Sequence, residues 1–125
     1  MIIDFPIEAF ARSWFEEWSE EPPFRGWATM LLEQMIDHQP DSAWSLILQL
    51  VATAEADDEL GWVAAGPLEN LLADHGPQFI ERVEQCASSN ARFRECLREV
   101  WGHSRFEPSV YQRVQRIVGH SEAKR

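Results

Sequence analysis

From Ile7 to Trp18 the apolar residues fall three and four apart: Ile7, Phe10, Ala11, Trp14, Phe15 and Trp18. That spacing lines one side of a 3.6-residue helix and fits no strand, whose apolar positions would alternate. The same spacing returns in segment after segment of the 125-residue chain. Alternation never persists, and no Asn-Gly or Asp-Gly hairpin signal occurs. The chain therefore reads as all-α.

Eight helices are expected. The first opens with Asp4 as cap and Pro6 in its first turn, and stops at Pro22-Pro23. Its wet side closes on Glu16, Glu17, Glu20 and Glu21, acids that oppose the helix dipole at that end. The second runs from about Gly26 to His38 and buries Trp27, Met30, Leu31, Met35 and Ile36. The third, Asp41 to Ala56, has an apolar stripe wide enough for neighbours on two sides. Asp57-Asp58-Glu59 cap a short fourth helix with Leu60, Trp62 and Val63. Gly66-Pro67 and Gly76-Pro77 each read as one helix ending and another beginning, because Gly suits the position after a helix and Pro its first turn. That gives helices over Pro67 to His75 and Pro77 to Ser88. Asn90 caps a seventh through Trp101, and the eighth runs from Pro108 to Gly119. Short connections suggest stacked hairpins, HEAT-like or as a compact orthogonal bundle.

The length fits one domain, expected over residues 1–119 with a polar tail at 120–125. At 45% hydrophobic, with six tryptophans, the chain can fill a core without disulfide or metal. No basic leader region precedes an apolar run, and no run reaches the roughly 20 residues that span a bilayer. A cytoplasmic protein with no membrane contact is expected. Cys86 and Cys96, ten apart, lack the spacing of a metal or redox pair and read as buried thiols.

Charge is unevenly spread. Residues 1–76 hold 15 acids and two bases, Arg12 and Arg25, a net −13; residues 77–125 hold six acids and nine bases, a net +3. An acidic half of this strength repels nucleic-acid phosphate and anionic lipid and attracts a basic protein.

The stretch Ala65-Gly66-Pro67-Leu68-Glu69-Asn70-Leu71-Leu72 follows Ala43-Trp44 and precedes Phe93-x-x-x-Leu97-x-x-x-Trp101. It resembles a family of small bacterial proteins of unknown function with a Gly-Pro-Leu-Glu-(Asp/Asn)-Leu-Leu signature. The resemblance covers residues 40–101 and implies an all-helical fold and a bacterial source. It implies no activity, cofactor or catalytic residue.

Chemistry-bearing residues mostly carry a simpler structural reading. His38, His75, His103 and His120 fall at helix ends, where imidazole caps carbonyls, and no pair has the i, i+4 spacing of a zinc site. Glu69 lies in the first turn of a helix, complementing its positive end, and has no predictable polar partner for acid–base work. Asp57-Asp58-Glu59 lacks the alternation and glycine of a calcium loop. No nucleophile elbow or phosphate-cradling loop occurs. The arginines Arg92, Arg94, Arg98, Arg105, Arg113 and Arg116 alternate with Glu95 and Glu99 as on a mixed solvated face. Trp14, Trp18, Trp44 and Trp101 fit apolar stripes and are assigned to the core.

No catalytic, cofactor or metal site is therefore expected. The pattern suits a non-enzymatic acidic module that binds a basic protein, such as an immunity protein or inhibitor against a toxin or nuclease. Its expected surface combines Glu16, Glu17, Glu20 and Glu21 with Asp57, Asp58 and Glu59. Trp27 and Trp62, beside Gly26 and Gly61, are the candidate anchors. A regulatory or scaffold subunit assembling through apolar surface is the alternative, and an enzyme of unrecognised type ranks behind both. A homodimer pairing acidic and basic halves is also compatible with the charge split.

Overall fold

A computed structural model describes residues 6–23 and 25–119. It is all helical among these residues: α1 (Ile7–Ser19), α2 (Trp27–His38), α3 (Pro40–Thr53), α4 (Asp57–Val63), α5 (Glu69–Ser89), α6 (Ala91–Leu97) and α7 (Pro108–Val118). One π-helical turn, Ala64–Leu68, joins α4 to α5 without a break. Asp57 to Ser89 is thus one continuous helical segment, and the described residues form six such segments where the sequence suggests eight. The expected Asp4 cap and the 120–125 tail lie outside the described residues.

The two Gly-Pro pairs account for the difference. A proline inside an α-helix lacks the N–H that bonds back four residues, and its ring crowds that carbonyl. Here the turn widens instead: the Glu69 N–H reaches back five residues to the Ala64 carbonyl, and Pro67 rides within the helix. Gly66-Pro67 is therefore no boundary. Gly76-Pro77 does mark one, as a kink rather than a stop, since His75 leaves helical geometry (φ −137°, ψ 26°) and Pro77 begins the second half of α5. Neither glycine has positive φ; among the described residues only Gly119 does, ending α7 in the left-handed conformation.

α3 lies centrally, touching α1, α2, α4, α5 and α6, as its wide stripe suggests. Its Trp44 stands between Phe79 of α5 and Phe93 of α6, with ring centroids 5.9 and 5.7 Å away. α1 and α2 cover one side of α3, while α7 packs along α5. Phe10, Trp14, Leu46, Ile47, Leu50, Leu71, Phe79 and Phe93 are fully enclosed.

Three expected core positions, Trp27, Met30 and Trp101, are corrected. α2 buries Ala28, Thr29, Leu32, Met35 and Ile36, and leaves Trp27 and Met30 about half exposed. Its buried arc is turned from the one that starts at Trp27. Trp101 is 78% exposed, because α6 ends at Leu97 and a turn over Arg98 and Glu99 takes the chain off the helical stripe.

Candidate protein-binding surface

α2 begins at Gly26, which has no side chain to cap the first free N–H groups. Glu17 of α1 supplies the missing acceptor. Its carboxylate takes the Ala28 N–H at 3.0 Å and the Thr29 N–H at 2.8 Å, and only 6% of the residue is exposed. An acid poorly placed for its own helix is thus well placed for the start of the next. Glu17 therefore leaves the expected acidic face and becomes a joint between α1 and α2.

Glu16 remains on that face, at the ridge between two depressions. On one side α1 meets the α3–α4 connection in a groove of about 410 Å³, lined by Glu8, Arg12, Phe15, Glu16, Ser19, Thr53, Glu55 and Glu59. Phe15 gives it an apolar floor. Four carboxylates face one guanidinium, so the groove is electronegative. Glu59 is fixed, since its Oε1 accepts the Glu55 N–H at 2.7 Å and the Ala56 N–H at 3.2 Å and so caps α4. On the other side of the ridge Ser13, Glu16, Glu17, Glu20 and half-exposed Trp27 form a second hollow of about 280 Å³. Trp27 meets Phe10 edge to face at 6.2 Å, so part of its ring is anchored.

The other expected residues divide. Glu21 is exposed beyond α1, before Pro22. Asp57 and Asp58 are exposed at the start of α4, and Asp57 lines a different hollow with Leu60, Glu95, Arg98 and Glu99. Trp62 is half-buried and packs on the core. The structure thus joins Glu16, Glu20, Glu59 and Trp27 into one region. It adds Glu8, Arg12 and Glu55, which nothing in local spacing singles out.

Glu69 has a partner set that sequence does not disclose. It is buried, and accepts the Trp101 N–H at 3.1 Å and Arg105 Nη1 at 2.9 Å; Arg105 Nη2 continues to Asn70 Oδ1 at 3.1 Å. This clasp fastens the α6–α7 loop to the start of α5 and holds Trp101 outward. No histidine joins it. His75 Nε2 instead lies 2.7 Å from the Ile36 carbonyl, tying the α5 kink to the last turn of α2. His103 meets Tyr111 edge to face; His120 lies outside the described residues.

The arginines of the second half are mostly committed inside the molecule. Arg92 donates to the Ala54 carbonyl and Arg94 to that of Ala87, while Arg105 pairs with Glu69 and Arg113 with Glu84. Arg113 makes a bidentate contact at 2.8 and 2.6 Å, which holds the Glu84 carboxyl below its ordinary value. Burial, joined by the nearby Glu99 charge, pushes the fully enclosed Cys96 thiol up to about 12; Cys86 is only half-buried. No group of three His, Cys, Asp or Glu among the described residues is placed to hold a metal ion. No helix there is long and apolar enough to cross a membrane.

No curated protein and no solved structure matches the chain. A family model does, over residues 16–121, which takes in α2 to α7 and, of α1, only its last four residues. On that coverage the chain belongs to a family of unknown function (DUF6869).

Proposed function

We propose that this protein is a non-enzymatic, acidic binding module that neutralises a basic partner protein, as an immunity protein or inhibitor neutralises a toxin. The observation that carries this reading is the groove between α1 and the α3–α4 connection. It sets Glu8, Glu16, Glu55 and Glu59 around the apolar edge of Phe15, with Arg12 as the single opposing charge. A basic segment of a partner would find both charge neutralisation and a hydrophobic seat there, and the net charge of −10 would steer its approach. Trp27 and Glu20, across the Glu16 ridge, extend the contact surface. Free thiols at Cys86 and Cys96 suit a reducing compartment, in keeping with action in a bacterial cytoplasm.

Capture from a lysate of the source cell on immobilised protein tests this. The expected result is a basic protein bound at low salt, released at high salt, and bound at least tenfold more weakly by the triple variant Glu8→Lys, Glu16→Lys, Glu55→Lys. Glu17 and Glu59 are left intact because they cap helices. Capture of no such protein, or retention by the triple variant, overturns the proposal. Retention through high salt would favour the alternative of a scaffold subunit assembling through apolar surface. Exposed Trp101 and half-exposed Met30 are the observations that support that second reading.

A further inference from the structure

We draw no further inference here: the strongest candidate, the α6–α7 loop that the Glu69–Arg105 clasp fastens to α5, presents the Trp101 indole 78% exposed, and nothing in the structure shows what covers it.

Discussion

Glu17 stands in the last turn of one helix and works for the next, and that exchange decides what its removal costs. Its two acceptor bonds go to buried N–H groups at the first turn of α2, where Gly26 contributes no side-chain cap. Glu17→Ala leaves both donors without an acceptor, and should lower the unfolding free energy by about 1–3 kcal/mol. Glu17→Gln keeps one carbonyl oxygen and should cost less. Glu16→Ala, one residue away on the exposed ridge, should change stability by less than about 0.5 kcal/mol. Urea denaturation of the three variants gives the order, and equal losses at positions 16 and 17 would contradict the cap. In sequence the four acids of this run look alike, because helical spacing places a residue on a face without saying which other helix end that face meets.

At the scale of elements, glycine shows how packing and position decide what a substitution does. Gly61 lies within α4, and a Cβ there would meet nothing within 4 Å. Gly76 lies within α5, where a Cβ would stand 3.0 Å from both methyl carbons of Val110 on α7. Alanine is the better helix former inside a helix, so Gly61→Ala should stabilise by about 0.5–1 kcal/mol. Gly76, at the kink before Pro77, has no such gain to offer, and Gly76→Ala crowds the Val110 methyl groups of α7 and should destabilise by about 1–3 kcal/mol. Thermal unfolding of the pair reads the opposite signs directly. Spacing and turn residues locate α1, α3, α4 and α7 well, and Asn90 caps α6 as its type suggests, its Oδ1 accepting the Phe93 N–H at 3.0 Å. They fail at Gly66-Pro67, where a π-helical turn absorbs the proline, and at Trp101, where the helix ends before the stripe does. Both failures have tertiary causes. The Trp18 ring packs on Gly66, and Glu69 holds the Trp101 N–H. The acidic surface divides in the same way. Charge and exposure mark Glu16, Glu59 and Trp27, whereas Glu8 and Glu55 join them only because α1 lies beside the end of α3.

Across the whole molecule, the division of charge along the chain is partly undone by folding. Arg82 pairs with Asp41 and Arg105 with Glu69, so guanidinium groups from the second half neutralise carboxylates of the first. Among the described arginines of the second half, Arg98 and Arg116 are left without a hydrogen bond or ion pair to the protein. The acids of the α1 groove gain no comparable relief, which concentrates the negative surplus where a basic partner is proposed to bind. The internal pairs also set the acid sensitivity of the fold. Glu84 is the clearest case, since its bidentate contact with Arg113 joins α5 to α7 and lowers its carboxyl from the ordinary 4.5. A carboxyl lowered in the folded state stabilises the fold fully above its unfolded value. It loses that contribution as pH falls from there through the folded value. Wild-type protein should therefore melt higher than Glu84→Gln at pH 7. The gap should begin to close near pH 4.5 and vanish once pH has passed below the lowered value, where both side chains are neutral. Melting temperatures of the two proteins between pH 7 and pH 2 decide the matter: a gap of constant size would mean that Glu84 contributes through packing, and that Arg113 holds α7 against α5 without it.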